Sequence, residues 1–248
     1  PSEGVQVVFS YDLASHVLTV SSRAAGARPD LSKQKAHWVR EGLVAWDVKA
    51  PEKKSYRLHW SEEGGLAVDD EAVTGGDSVP LTYDPAGLPA DVVSDFPHLE
   101  AYEAFRLGKQ DTKRVPDILR GQLAVAAYDD LGRLVDATGV QIPGVLDDVY
   151  AGAQDRALGL TWDKGTPSFA VWAPTAQDVD LLVWPAEADE PIRRSMSREA
   201  DGSWTVRGDA TWRDASYLYD VSVYAPSTGR VEQNRVTDPD SLALTTNS

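Results

Sequence analysis

Cysteine is absent from all 248 residues. That removes disulfide staples, thiol nucleophiles and cysteine-ligated metals together. Histidine is scarce: His16, His37, His59 and His98 are scattered and no two stand four apart, so no helical zinc-ligand pair is present. No run of 18 apolar residues occurs, so nothing is long enough to cross a bilayer as a helix. The chain opens on Pro1 and shows no charged-then-apolar leader, which suggests a processed chain or one cut from something longer. Positive charge is also in short supply. Lys and Arg number 24 against 39 Asp and Glu, a net charge of −15. Such a surface repels phosphate backbones and anionic lipid, which argues against nucleic acid and membrane partners.

What is abundant is tryptophan, eight residues against four phenylalanines. A buried indole must find a partner for its N–H, so most of these belong to core or half-buried positions, and one or two are candidates for exposed platforms. The length suits one or two domains, at roughly 150 residues each. Short alternating stretches dominate. Val5 to Ser10 and His16 to Ser21 flank SYDLAS as a hairpin, and AHWVREGLVAW (36–46) reads as two strands about Arg40, Glu41 and Gly42. SYRLHW (55–60), SVPLTYD (78–84) and QLAVAAYD (122–129) are further strands, the last turning at Asp129 to Gly132 into Arg133, Leu134 and Val135.

Two helical signals interrupt them. FPHLEAYEAFRLG (96–108) has Pro97 near its first turn, Leu99, Tyr102 and Phe105 three apart, and Gly108 as a stop; VPDILRG (115–121) repeats this in miniature. The pattern changes through 139–159, where a domain boundary is expected. Beyond it, strands at 158–162, 168–173, 178–184, 203–207, 216–224 and 229–236 recur at sandwich spacing. The expected fold class is all-β, two immunoglobulin-like β-sandwiches, the first with short capping helices.

No catalytic or metal centre emerges. The acid pairs Asp69-Asp70-Glu71, Asp129-Asp130, Asp147-Asp148 and Glu187 to Glu190 read as solvated turns or opposite faces of strands rather than a glycosidase dyad. His37 and His59 each precede a Trp in a strand, so each faces away if its Trp faces the core. There is no calcium loop, serine elbow or phosphate cradle, and no cofactor is implied. Sugar binding has a physical rationale, since a pyranose ring stacks on an indole while polar neighbours take its hydroxyls. Trp184 lies opposite Val179, Leu181 and Val183 in the alternation, Trp204 follows the turn Asp201-Gly202-Ser203, and Trp212 sits in a polar loop. These three are the candidate carbohydrate-binding residues.

LGLTWDKGTPSFAVWAPTAQDVDLLVW (158–184) resembles the start of the isoamylase-type family 48 carbohydrate-binding module, with its F-x-V/L-W-A-P-T-A signature. SYLYDVSVYAPSTGRVEQNRVTDPDSLALTTNS (216–248) is similar to the end of that module in bacterial pullulanases, and the stretches AHWVREGLVAW, FPHLEAYEAF, ILRGQLAVAAYD and TGVQIPGVLDDVYA resemble the β-domain preceding it. The resemblance spans about residues 31 to 248. It implies a leading segment at 1–30, a pullulanase-type β-sandwich at 31–143, a linker at 144–157 and the module at 158–248. It also implies a family 13 glycoside hydrolase parent that cleaves α-1,6 branches of pullulan, amylopectin or glycogen. The parent's catalytic residues would lie in a (β/α)8 barrel of the same polypeptide, C-terminal to these residues, leaving this chain inert. A secreted bacterial setting goes with it.

Two departures bear on binding. Glycogen-binding relatives of the module carry Lys in a Tyr-Lys-Phe strand and a Trp after the next Gly; here stand Tyr219-Asp220-Val221 and Gly229-Arg230-Val231. Asp240 replaces the aromatic that often follows Thr-Asp-Pro. Three readings stay open: a segment that assists α-glucan binding, a structural scaffold that binds no sugar, and an extracellular adhesion-type array.

Overall fold

The structure is a computed structural model that describes residues 5–12, 17–24, 29–69, 71–186 and 188–241. Asp70, Glu187, His16, the turn at 13–16 and the tail at 242–248, all part of the expectations above, lie outside the described residues. The chain is all-β. It opens on the antiparallel pair β1 (Val5–Asp12) and β2 (Val17–Ala24).

The next strands are β3 (Asp30–Arg40), β4 (Leu43–Trp46) and β5 (Ser55–Ser61). A small hairpin follows, β6 (Ala67–Val68) with β7 (Val73–Thr74), and then β8 (Asp77–Asp84). Helix α1 (Ala90–Asp95) leads to β9 (Glu103–Leu107), and α2 (Val115–Ile118) to β10 (Gln122–Tyr128) and β11 (Leu134–Gln141). Seven of these strands close into a barrel in the order β10-β11-β3-β4-β9-β8-β5, so the first sandwich is joined along both of its edges. Its interior holds Trp38, Val44, Trp46, Tyr56, Leu58 and Phe105. Tyr56 and Phe105 meet at a ring separation of 4.4 Å.

The outside of this barrel is covered too. Val92 of α1 and Leu99 pack on Val39, Leu43, Ala45 and Ala104, while Leu66 and Val73 beside the small hairpin pack on Ala124, Ala126 and Tyr128. A strand buried on both faces loses its polar/apolar alternation. That explains a misread element: the helix expected over 96–108 is a single 3-10 turn, Pro97–Leu99, followed by strand β9. Leu99 and Ala104 face the outer cap, whereas Phe105 and Leu107 face the barrel interior. His59 does face away from the barrel interior that Leu58 and Trp60 enter, but the same cover buries it, with its ring 3.0 Å from the Tyr128 hydroxyl.

Helix α3 (Pro143–Val149) and a 3-10 turn at Ala151–Asp155 occupy most of the stretch expected as a linker. Val145 and Tyr150 from it belong to the barrel's own core. The second unit then contributes β12 (Gly159–Asp163), β13 (Thr166–Trp172), β14 (Ala176–Trp184) and β15 (Ile192–Ser195). The short β16 (Ser197–Arg198) precedes β17 (Ser203–Arg207), β18 (Ser216–Ala225) and β19 (Arg230–Val236). Sheets β12-β13-β17-β16 and β15-β14-β18-β19 sandwich Phe169, Val171, Val179, Leu181, Val183 and Tyr219 between them.

The two units are fastened by side chains that serve main-chain carbonyls. Arg120 donates from Nε to Ala176 O at 3.0 Å and from Nη2 to Gln177 O at 2.6 Å, and Gln177 Nε2 returns a bond to Glu62 O at 2.6 Å. Arg198 Nη2 donates to the Tyr150 hydroxyl at 2.8 Å and also reaches the carbonyls of Pro116 and Pro174. Gly202 sits against this joint at φ 76°; a Cβ there would lie 2.9 Å from Pro174 and 3.0 Å from the Tyr150 ring, so the position needs glycine.

Candidate functional site

Along β14 the side chains divide between two faces. Val179, Leu181 and Val183 enter the core, and the intervening Asp180, Leu182 and Trp184 take the outer face. Trp184 ends the strand half-buried, opposite Ser216 of β18. Four residues back, Asp180 is paired across the sheet with Asp220, and both carboxylates are buried.

Two neighbouring carboxylates away from water need compensation. Arg193 of β15 supplies it, with Nη1 2.5 Å from Asp180 Oδ2 and Nη2 2.6 Å from Asp220 Oδ2. Ser195 Oγ donates to Asp180 at 2.7 Å and Gln233 Nε2 to Asp220 at 3.1 Å. The bond to Asp180, then that to Asp220, raises the affinity of Arg193 for its proton above the ordinary guanidinium value. The result is a fixed, hydrogen-bonded polar surface on the same sheet face as Trp184. Asp220 occupies the position where the module's glycogen-binding relatives were expected to carry Lys, and it accepts bonds there instead of donating them.

Of the three candidate tryptophans, only Trp184 keeps an outer position. Trp204 is 5% exposed and Trp212 6%, both inside the sandwich core. Trp204 follows a turn, as the sequence says. It nonetheless pairs with Val171 of β13 and points inward, its indole N–H donating to Ala173 O at 3.0 Å. Trp212 packs on Phe169, with ring centroids 6.3 Å apart. Neither has a free face for a sugar, which corrects both assignments.

The exposed indoles are others. Trp162 is 44% exposed on β12 and Trp172 38% exposed at the end of β13, its N–H held by Asp201 O at 3.1 Å. Neither is among the sequence-based candidates, although the alternation with inward Phe169 and Val171 puts Trp172 on the outer side of β13. The Asp180, Arg193 and Asp220 cluster was missed as well. An acid set between apolar neighbours in each of two strands marks each member singly, but their meeting depends on the β14–β18 pairing.

At the far end of β19, Asp238 is buried and accepts the Tyr217 hydroxyl at 2.6 Å and the Tyr219 hydroxyl at 3.4 Å. Burial, reinforced by this carboxylate, pushes both phenols well above their usual range. Among the described residues, no group of three or more His, Cys, Asp or Glu is placed to hold a metal ion. The fold and this face together define a tandem of β-domains, a closed barrel followed by a two-sheet sandwich of immunoglobulin type.

Comparison with known proteins assigns both units. Residues 33–148 match the Pullulanase N2 domain, and residues 157–240 match Carbohydrate-binding module 48 (Isoamylase N-terminal domain). The chain is 35% identical over 229 residues to Pullulanase 1, chloroplastic, of Arabidopsis thaliana, covering 92% of this chain and 23% of that protein. It is 36% identical over 241 residues to a pullulanase of Klebsiella pneumoniae, covering 95% and 22%. The crystal structure of a maltotriose complex of PulA from Klebsiella pneumoniae superimposes with a TM-score of 0.80 at 35% identity, over 88% of this chain and 23% of that one. The chain thus spans less than a quarter of the length of these relatives. It belongs to the pullulanase family, as the non-catalytic N-terminal region that joins an N2 domain to a family 48 carbohydrate-binding module.

Proposed function

We propose that this region holds α-glucan on the outer face of sheet β15-β14-β18-β19 and orients a C-terminal (β/α)8 barrel that cleaves α-1,6 branch linkages in pullulan, amylopectin or glycogen. The observation that carries the reading is the half-buried indole of Trp184 sharing one sheet face with the Asp180, Arg193, Asp220 and Gln233 network. A pyranose ring stacks on the indole, and further sugar units of the same chain, running along the face toward Asp180 four residues back, bond to the fixed polar groups there. Maltotriose in the related PulA complex is consistent with a short α-glucan as ligand.

Affinity electrophoresis through gels containing pullulan, amylopectin or glycogen tests this. Retardation that disappears in Trp184→Ala supports it; unretarded migration in all three gels overturns the binding part. A second reading, a scaffold that binds no sugar, is favoured by one specific observation. Arg193 already has both terminal nitrogens committed to Asp180 and Asp220. On that reading the wild-type chain runs unretarded, and a barrel separated from this region melts at a lower temperature.

A further inference from the structure

The two units enclose a cleft of about 680 Å³ that the sheet-face reading does not use. It lies where the β10-β11-β3 end of the barrel meets the strand end before β14 and the turn between β18 and β19. Its volume falls within the ~300–1,000 Å³ usual for small-molecule sites. The wall chemistry is unusual for this chain. Although 39 of 248 residues are acidic, no Asp or Glu lines the cleft, and no Lys does either.

The one charged lining residue is Arg120, whose guanidinium is already donated to the Ala176 and Gln177 carbonyls. What remains is neutral and polar: the amides of Gln34, Gln122 and Gln141 and the hydroxyls of Thr175 and Tyr224. Gln122 Oε1 accepts the Leu66 N–H at 2.8 Å, and Gln141 Nε2 donates to Gln34 O at 2.7 Å. Those bonds fix both amides in orientation and leave Gln122 Nε2 as a donor and Gln141 Oε1 as an acceptor. Among the described residues, the side chains of Gln34, Thr175 and Tyr224 make no hydrogen bond, so both donors and acceptors are available around the wall. Leu66 and Val140 supply apolar surface between them.

A wall of neutral donors and acceptors over apolar patches gives a cation no counter-charge, and the one guanidinium has its Nε and Nη2 already spent on the Ala176 and Gln177 carbonyls; the lining suits a ligand with many hydroxyls on a weakly apolar ring. The walls are also held still. The antiparallel bridge between Gly64 and Arg230 and the Gln177 bond to Glu62 tie the two sides together, so little ordering cost falls on a ligand. We propose that this inter-unit cleft is a second carbohydrate site, one that takes a short neutral oligosaccharide between the N2 domain and the module.

The test is titration of the ¹⁵N-labelled chain with maltotriose and with cellotriose, following the glutamine side-chain amides and the Trp184 indole N–H as separate reporters. Saturable shifts of the Gln122 and Gln141 amides with either sugar, retained in Trp184→Ala, support the cleft. They should weaken at least fivefold in Gln34→Trp, which fills the opening from an exposed strand position, and more modestly in the near-isosteric Thr175→Val. Unchanged glutamine amides at 10 mM of both sugars overturn the proposal, whether or not the Trp184 indole moves. An indole response alone leaves the sheet-face reading standing, and no response from either reporter removes both. Equal shifts in Gln34→Trp and wild type would also overturn it, because the sugar would then be bound elsewhere.

Discussion

Arg193 sets its Nη2 2.6 Å from Oδ2 of Asp220 and thereby covers a carboxylate that lies buried beside Asp180 on the next strand. Removing the cation leaves two adjacent buried anions. Arg193 itself is nearly half exposed, so water partly screens its loss. Arg193→Ala should therefore cost about 2 kcal/mol in urea unfolding. Adding Asp180→Asn to that variant should recover part of the loss by removing one anion; no recovery would mean that Arg193 stabilises through its hydrocarbon stem alone.

His59 makes stability depend on pH in a definite direction. Burial first, and Arg57 second, push its imidazole down to about 4 from an ordinary 6.5. The folded chain therefore holds it neutral while the unfolded chain takes up a proton below 6.5. The stabilisation is present above that pH and is lost as pH falls toward 4. Between pH 7 and pH 5 the expected loss is about 2 kcal/mol. Chemical denaturation of His59→Gln over the same range should show a correspondingly flatter profile, since glutamine keeps a partner for Tyr128 without titrating.

The tryptophans should separate cleanly by location. Trp204→Ala empties a core position and should cost about 3–5 kcal/mol, with any loss of sugar binding following the unfolded fraction. Trp184→Ala should change stability by about 1 kcal/mol or less while removing gel retardation. Melting curves and affinity gels run on both variants decide the matter. Binding lost only in Trp204→Ala would reverse the assignment of the face.

Through one nitrogen Arg198 ties its own unit, at the Pro174 carbonyl, to the barrel side at the Tyr150 hydroxyl and the Pro116 carbonyl. Replacing it with alanine should let the barrel and the sandwich unfold independently. Calorimetry should then resolve two transitions, against a single one expected for the parent chain. A single transition shifted downward would place the coupling elsewhere, with Arg120 and Gln177 next in line.

Much of this architecture could be read from residue order. Strands with one wet face announced themselves, as in β8, where buried Val79 and Leu81 alternate with exposed Pro80 and Thr82. The failures have a common cause. In β9 and around His59 a second layer covers the outside of the barrel, and no periodicity within a five-residue strand records a cover supplied from elsewhere in the chain. Trp204 shows the same limit, since a residue just after a turn can face either way until its partner strand is known. The polar cluster was out of reach for another reason. Asp180 and Asp220 become neighbours only through the pairing of β14 with β18, and no local spacing encodes that.

The parallel pairing of β3 with β11 imposes an order on synthesis. Gln34 lies opposite Gly139, 105 residues further along (139 − 34), and every other pairing within this barrel is antiparallel. A ribosome adding roughly 5–20 residues per second leaves β3 without that neighbour for about 5–20 s. Throughout that interval its rim is a bare template for any passing strand. The rim's first half reads Ser32, Lys33, Gln34 and Lys35, all exposed even in the finished barrel. Two lysines in four residues make a poor invitation to a stranger, so the nascent chain carries its own deterrent until the last strand of the barrel emerges to claim the place.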